Sequence, residues 1–147
     1  MNDVHAVSLS IVTVNSNFQS VFNTLSLPLD DMNGMFISNR QSALNFRHRK
    51  SKPGYKSDWH VAGDPTLLLI QQGCIEITLR NGESKLFSAG EQFIAADFLP
   101  DGMNFDPCHG HSARVVTEAP LQAVHIKLSN NPQSWLEENS AFLTAPV

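Results

Sequence analysis

Apolar and polar residues alternate along most of this chain with a period of two, which is the spacing of a half-buried β-strand. Residues 6–14 form a β-branched, apolar run, and residues 42–50 and 75–80 alternate cleanly. Further short runs, each bounded by Gly, Pro, Asn or Asp, lie at 66–72, 92–96, 112–117 and 122–128. Short strands at this spacing predict an all-β fold, an antiparallel sandwich or barrel.

A hairpin is predicted around Asn81-Gly82, because this pair separates the alternating run 75–80 from the short run 84–88. Asn-Gly is typical of a type I′ turn, in which both central residues take positive φ. Helix signals concentrate in the last segment, where Asn131 can cap and Pro132 suits the first helical position. An apolar stripe there would comprise Trp135, Leu136 and Phe142. Residues 18–27 are interpreted as a short helix or turn.

The chain has 147 residues, the size of one domain, and its 41% hydrophobic content suffices for a core. We divide it into an N-terminal extension with one extra strand (1–30), a barrel (31–130) and a helical tail (131–147). No apolar run approaches the roughly 20 residues of a membrane span. The formal charge of −4 gives no reason to expect nucleic acid or a membrane as partner.

Two cysteines, Cys74 and Cys108, cannot form a disulfide framework, so two reduced thiols are expected. The first residues lack the basic and apolar segments of a secretory signal. We therefore expect a cytoplasmic protein.

Histidines are the candidate functional residues, because the sequence has no phosphate-binding Gly-rich loop, no Gly-x-Ser-x-Gly and no CxxC pair. Inward side chains of distant strands converge inside a barrel, so scattered histidines could form a metal site that a carboxylate such as Asp97 completes. The alternative is that each is a hydrogen-bonded wall residue, above all in the strands. The candidates are His48, His60, His109, His111 and His125, with Cys108 as a weak soft ligand.

The chain resembles a small single-domain cupin over about residues 34–128. The resemblance rests on Pro53-Gly54-Tyr55, Trp59-His60, Gly73-Cys74-Ile75-Glu76-Ile77, Asn81-Gly82-Glu83, Ser88-Ala89-Gly90-Glu91-Gln92, Asp97 and Gly110-His111. It implies a cupin-type antiparallel β-barrel or jelly roll with a small-molecule cavity, here followed by a short C-terminal helix.

The same resemblance implies a degenerate histidine site. His60 matches the first histidine of the first cupin motif and His111 the histidine of the second, which makes these two the expected metal ligands. Ala62 and Thr66 stand where the family has its second histidine and its glutamate, so two usual ligands are lacking. The site would hold one divalent metal ion, of unspecified identity, only with help from His48, His109, Asp97 or water, or it would hold none.

Two further features leave alternatives open. The segment 98–108 could fold over the barrel mouth as a lid, with Met103 and Phe105 contacting a ligand, or it could pack on the outside. The basic cluster of the acidic chain is either a solvated face or a binding surface for an anionic, carboxylate-bearing substrate; it comprises Arg47, Arg49, Lys50, Lys52 and Lys56.

Three functional readings follow from these residues. The protein could be a metal-assisted enzyme acting on a small organic acid, or a non-catalytic ligand-binding or sensing module without metal. In the third, the strand 6–14 covers a sheet edge and contributes to a homodimer. We rank a cupin-type protein with a small-molecule cavity first, without assigning a reaction.

Overall fold

Eleven strands and one short α-helix form along residues 4–145, the part of the chain that the structure, a computed structural model, describes. A 3-10 turn at Ser140–Phe142 follows the helix α1 (Pro132–Asn139). The strands are β1 (Ala6–Val14), β2 (Ser20–Pro28), β3 (Asp30–Met32), β4 (Met35–Ile37), β5 (Asn45–Ser51), β6 (Thr66–Gln72), β7 (Cys74–Leu79), β8 (Ser84–Ser88), β9 (Gln92–Ala95), β10 (His111–Val115) and β11 (Leu121–Lys127).

The strands form two main sheets that face each other in a jelly-roll-like arrangement without closing into a barrel. The six-stranded sheet has the order β2-β1-β9-β6-β11-β5, and the three-stranded sheet has the order β10-β7-β8. Pairing is antiparallel except between β1 and β9, which run parallel. The short β3–β4 hairpin forms a separate ribbon. The predicted all-β fold with a C-terminal helix is thus confirmed.

The main core fills the space between the two sheets. Alternate residues of the larger sheet, such as Leu68, Ile70 and Phe93, meet Ile75 and Ile77 of the smaller one. All are at most 5% exposed, so the interior face of each sheet is apolar and closely packed over most of its length. The cavity described below lies at one end of this interior.

A second apolar cluster covers the outer face of the six-stranded sheet. Its centre is formed by Leu9, Ile11 and Ile94, and the helix contributes Trp135 from above. The predicted cap is present, since Oδ1 of Asn131 accepts a hydrogen bond from the Ser134 N–H at 3.0 Å. The helix is therefore held by its cap at one end and by apolar packing along one side.

The prediction of a short helix or turn at residues 18–27 is wrong. Residues 20–28 form β2, which pairs along its whole length with β1. The first segment therefore supplies two strands to the main sheet, and β1 lies inside that sheet between β2 and β9. The alternation of Val21, Asn23, Leu25 and Leu27 carried this signal.

The predicted hairpin at Asn81-Gly82 is confirmed, but its turn is not type I′. The Gly82 N–H bonds to Leu79 O at 3.0 Å and the Leu79 N–H to Glu83 O at 2.8 Å. Only Gly82 has positive φ, +92°, which fits a type I turn followed by a glycine bulge. A two-residue Asn-Gly turn instead joins β3 to β4, where Asn33 and Gly34 both have positive φ.

No helix within residues 4–145 is long and apolar enough to cross a membrane.

Candidate functional site

His60 and His111 lie side by side, as the resemblance implied. They form an isolated antiparallel bridge in which each N–H donates to the other's carbonyl oxygen at 2.9 Å. Residues directly opposite each other in such a bridge project to the same face. Their imidazole centroids are accordingly 4.5 Å apart, with His111 buried and His60 exposed.

The glycine before His111 makes this close pairing possible. Gly110 has a φ of +84°, and a Cβ there would lie 2.7 Å from the His60 carbonyl oxygen. An L side chain would thus be strained by the backbone conformation and would also collide with the strand segment that carries His60. The Gly110-His111 pair is needed for geometry before any chemistry is considered.

Asp97 supports His111 from behind. It is fully buried, and its Oδ2 lies 2.6 Å from His111 Nδ1 and accepts from the Ser20 hydroxyl at 2.7 Å. Its Oδ1 accepts from the Ala62 N–H at 2.9 Å. Because an ionised carboxylate only accepts, the His111 Nδ1 carries a proton and its Nε2 is left with a lone pair in the neutral ring. Asp97 thus orients an imidazole and is not among the residues that line the cavity.

His60 is held in the same tautomer by a backbone group. Its Nδ1 lies 2.8 Å from the Asp58 carbonyl oxygen, which can only accept a hydrogen bond. Both imidazoles therefore have their Nδ1 protons engaged and their Nε2 lone pairs available. This is the arrangement in which histidines bind metals or accept hydrogen bonds from ligands.

A cavity of about 260 Å³ opens beside this pair, between the two sheets. Its apolar floor is contributed by both sheets and includes Leu68, Ile75, Ile77, Phe93, Ala95 and Ala113. Its polar wall includes His60, His111, His125, Arg47, Arg49 and Thr66. A largely apolar cavity with a few convergent polar groups is the usual form of a small-molecule site.

The edge strand β5 presents its polar face to this cavity. Arg47 pairs with His125 and Arg49 with Ala123, which is 1% exposed and belongs to the interior core. Directly opposite residues share a face, so Arg47 and Arg49 point inward. The alternation predicted for this strand is confirmed, with the arginine face inward.

The other face of β5 points outward and carries His48. Leu44 and Phe46 share this face and are 50% and 66% exposed, and the His48 ring packs edge-on against Phe46. His48 is therefore on the opposite side of the sheet from the His60–His111 pair, and the structure does not bring it to the cavity.

His125, which the sequence offered as a candidate or as a wall residue, is the third histidine at the cavity. It lines the cavity, and its Nε2 is buried without a hydrogen-bond partner. Burial, followed by the positive charges of Arg49 and Arg47, lowers the pKa of His125 to about 4. The imidazole is therefore neutral at pH 7, and its buried Nε2 is an unsatisfied polar atom.

The two inward arginines have no carboxylate partner. Among residues 4–145, neither Arg47 nor Arg49 forms an ion pair. Arg49 donates from Nε to the Ser51 hydroxyl at 2.9 Å, and its guanidinium lies 5.3 Å from the Tyr55 ring centroid. Burial lowers the pKa of Arg49, yet a guanidinium remains protonated at neutral pH.

A polar vestibule of about 340 Å³ adjoins the cavity and shares Arg47, Ala62, Thr66 and His125 with it. Neither Ala62 nor Thr66 is a good metal ligand there, because the Ala62 side chain has no ligand atom and the Thr66 hydroxyl, which donates to the Asp64 carbonyl at 3.0 Å, is a neutral oxygen. The vestibule also contains an ion pair with 2.8 Å between Lys127 Nζ and the Asp64 carboxylate.

His109 belongs to a different cluster. Asp106, Cys108 and His109 each offer one potential ligand atom, and these three atoms lie within 4.8 Å of one another. Within residues 4–145, no other group of three or more His, Cys, Asp or Glu residues lies this close together. His109 Nδ1 already accepts from the Asp106 N–H at 3.1 Å, and the Cys108 thiol donates to Asp106 Oδ1 at 2.7 Å. That thiol bond lowers the pKa of Asp106 and raises the pKa of Cys108. The cluster could hold a metal only by giving up these bonds.

The segment 98–108 lies beside the mouth, but its two predicted lid residues do not line the cavity. Phe105 is 46% exposed, with its ring 5.9 Å from the Arg80 guanidinium and 6.1 Å from the His109 ring. The same guanidinium lies 4.1 Å from the Trp59 ring centroid. Met103 is 41% exposed. A role as a lid therefore stays a prediction.

A larger cavity, of about 420 Å³, lies on the outer face of the six-stranded sheet beneath the helix. Its wall is mostly aliphatic, with Leu25, Leu27 and Ile94 below and Trp135 at one side. None of the candidate site residues lines it.

No protein-family model and no curated protein matches this sequence. Similar solved structures include a conserved Streptococcus pyogenes protein of unknown function, with 17% identity over 65% of this chain and 71% of that one and a TM-score of 0.42. A cupin-2 domain protein from Shewanella frigidimarina has 18% identity over 57% and 69%, with a TM-score of 0.39. A cupin domain from Bordetella pertussis has 13% identity over 62% of this chain and 97% of that one, with a TM-score of 0.41.

The two facing sheets give the jelly-roll-like fold that the resemblance implied. The similar structures all have TM-scores below 0.5, so they carry no information about this cavity. The site is defined by this chain's own residues: a histidine pair, a third imidazole, two arginines and an apolar floor.

The sequence missed the inward position of His125. The signal was present in the run 121–125, where Leu121, Ala123 and His125 share one face. Two small or apolar residues on that face predict an interior side, and His125 follows them inward.

Proposed function

We propose that this protein is a small-molecule-binding cupin-type domain whose ligand occupies the cavity between the two sheets. The observation that carries the proposal is the convergence of six polar side chains on an apolar cavity of about 260 Å³. This volume lies near the lower end of ligand sites, which are typically about 300–1,000 Å³. The ligand class is therefore small metabolites and not large cofactors. No turnover is part of the proposal.

The test is stabilisation of the folded protein by ligands, measured by thermal shift with a metabolite panel. A ligand that binds only the folded state raises the Tm by mass action. Ala62→Leu, which narrows the cavity at its mouth, should abolish the shift, whereas Ala141→Leu on the exposed 3-10 turn should leave it unchanged. Equal shifts in both variants, or none in the unmodified protein, would contradict a ligand in this cavity.

A divalent metal ion is the second candidate, because both His60 and His111 have Nδ1 engaged and Nε2 available. These two imidazoles would hold the ion, and the ion would supply Lewis-acid polarisation of a bound ligand. Two protein ligands make a weak, exchangeable site that water must complete. The residues thus fit a loosely held ion and not a permanent structural one.

Titration calorimetry with Zn²⁺ and Mn²⁺ tests this candidate on protein purified without an affinity tag. His60→Ala should abolish the binding, and the outward His48→Ala should preserve it. Binding that survives His60→Ala but is lost in Cys108→Ala would assign the ion to the Asp106–Cys108–His109 cluster instead.

We also propose that the protein forms a homodimer and is located in the cytoplasm. Support for the dimer is the exposed apolar face of the edge strand β5, which includes Leu44 and Phe46. Support for the location is that Cys74 and the exposed Cys108 are both free thiols, which are usual in a reducing compartment.

A further inference from the structure

We infer that the ligand of this cavity is a small monocarboxylate with an apolar body, whose carboxylate lies against Arg47, Arg49 and His125. This inference rests on the proposed ligand-binding function and assigns the ligand's chemical class. The charges around the cavity and the apolar surface of its floor both support this assignment.

The cavity wall carries two positive charges that the protein itself does not balance. The Arg47 guanidinium forms no hydrogen bond or ion pair with any residue of the described range 4–145, and the Arg49 guanidinium donates only to the neutral Ser51 hydroxyl. Two guanidinium groups pointing inward from one strand repel each other. An anion between them relieves this repulsion, and a planar carboxylate matches the paired N–H groups of a guanidinium.

The carboxylates of Asp64 and Asp97 are already engaged with other groups. Asp64 in the vestibule is paired with Lys127, with 2.8 Å between the charged atoms. Asp97 is fully buried behind the cavity and accepts hydrogen bonds on both oxygens. The positive charge therefore faces the empty volume of the cavity and not an internal partner.

His125 adds an independent observation at the same place. It lies directly across the strand pair from Arg47, and its buried Nε2 has no hydrogen-bond partner among the described residues. Buried polar atoms of this kind are rare in folded proteins and call for a partner. A carboxylate held by Arg47 would accept a hydrogen bond from this nitrogen in the Nε2–H tautomer.

The floor of the cavity requires more than a bare anion. Leu68, Ile75, Phe93 and Ala113 form a continuous apolar surface beyond the arginines. A hydrated inorganic anion would leave this surface in contact with water. A carboxylate carrying a short alkyl or aromatic body would cover it and gain the hydrophobic free energy of that burial.

Isothermal titration calorimetry on EDTA-treated full-length protein tests the inference with propionate, butyrate and benzoate, each beside its primary amide. Inorganic phosphate is the bare-anion probe. We expect the acids to bind at least about tenfold more tightly than the amides, because charge-assisted hydrogen bonds exceed neutral ones by this order. Butyrate or benzoate should also bind more tightly than phosphate.

Arg47→Gln and Arg49→Gln identify the residues responsible. Each should weaken binding of the acids while leaving the amides unchanged, with the larger loss at the less exposed Arg49, about tenfold. Lys52→Gln removes the same charge from the exposed segment after β5 and should have no such effect. The Arg47 guanidinium has no internal hydrogen bond or ion pair to lose, so its variant should fold normally.

The outcomes separate this inference from the function on which it rests. Equal binding of acids and amides, unaffected by either arginine variant, would overturn the carboxylate assignment and leave a ligand-binding cavity. Phosphate binding as tight as butyrate and benzoate would overturn the apolar body. Absence of binding by every probe, together with no stabilisation in the metabolite panel, would overturn both.

Discussion

The residue with the most polar contacts at this site is Asp97, although it does not face the ligand. Three donors converge on its two oxygens: the Ser20 hydroxyl, the Ala62 N–H and the His111 Nδ1. It joins β2, the loop after His60 and β10 through one buried side chain. Asp97 positions His111. Removing its carboxylate should therefore lower the stability of the protein and change the tautomer of His111.

Asp97→Asn should lower the free energy of unfolding by about 2–4 kcal/mol, because an amide group must replace one accepting oxygen and face a donor. Urea denaturation measures the loss, and ¹⁵N NMR of the imidazole should show that His111 no longer has a single Nδ1–H tautomer. Asp101→Asn, on the exposed loop, is the control and should be nearly neutral. Equal values for the two variants would contradict the positioning role.

His125 makes a second prediction at the residue scale, on pH. Its pKa is about 4 in the folded protein and 6.5 when unperturbed, so the unfolded chain takes up a proton first as the pH falls. Stability from this group is complete above about pH 6.5 and is lost between there and about pH 4. His125→Gln should therefore flatten the fall in unfolding free energy between pH 7 and pH 5.

The exposed His48→Gln is the control for that measurement and should leave the pH dependence as it is. Urea titrations at the two pH values suffice, because only the difference between them is compared. If His125→Gln keeps the full fall in unfolding free energy between pH 7 and pH 5, His125 is not a buried neutral imidazole.

At the scale of elements, the site depends on a strand-like segment outside the named strands. Residues 55–60 lie along β10 through the bridges Lys56–Arg114 and His60–His111. This segment brings His60 to the histidine pair, and the close approach of Gly110 fixes its distance from β10.

Gly110→Ala should cost at least about 2 kcal/mol of stability and should abolish ligand binding in the cavity. Gly102→Ala is a matched control, since Gly102 has a φ of +85° against +84° but no atom within 4 Å of an added Cβ. Its cost should be near 1 kcal/mol, the order expected from positive φ alone. Thermal and urea unfolding compare the two; equal costs would show that the contact with His60 is not important.

The sequence predicted elements well where alternation was strong and turn residues were specific. β1, the β7–β8 hairpin and the capped helix all follow from local signals. The interior face of β5 does not follow from local signals, because alternation shows that the strand has two different faces but not which of them is buried. The alternation puts Leu44 and Phe46 on one face and the arginines on the other, and pairing with β11 places the arginines inward. That choice is a tertiary one, since the β11 register decides it.

The candidate site was predictable only in part for the same reason. His60 and His111 were found through motif resemblance, and the structure brings their rings to 4.5 Å. Their supports are contacts of long sequence separation, such as Ser20 to Asp97, which no local pattern encodes. The cavity charges depend on the face of β5, so they became apparent only when the sheet was assembled.

At the scale of the whole molecule, the remaining question is what covers the outer face of β5. This strand is the edge of the six-stranded sheet; its outward residue Phe46 is 66% exposed, and Leu44, just before the strand, is 50% exposed. An exposed apolar edge invites association with another chain. Deleting residues 1–15 would not test this, because β1 lies inside the sheet and Val12 is in the main core.

Phe46→Glu tests the proposed homodimer directly. If Phe46 is buried between two copies, a carboxylate there would be desolvated without a partner, and the dimer Kd should rise by at least about a hundredfold. Light scattering over a concentration series should show a dimer for the unmodified protein and a monomer for the variant. Leu86→Glu, at an apolar position on the other sheet's edge strand β8 that is 55% exposed, should remain a dimer. Dissociation by Leu86→Glu alone would move the interface to β8, and a monomeric unmodified protein would exclude the dimer, leaving the exposed β5 face as ordinary surface.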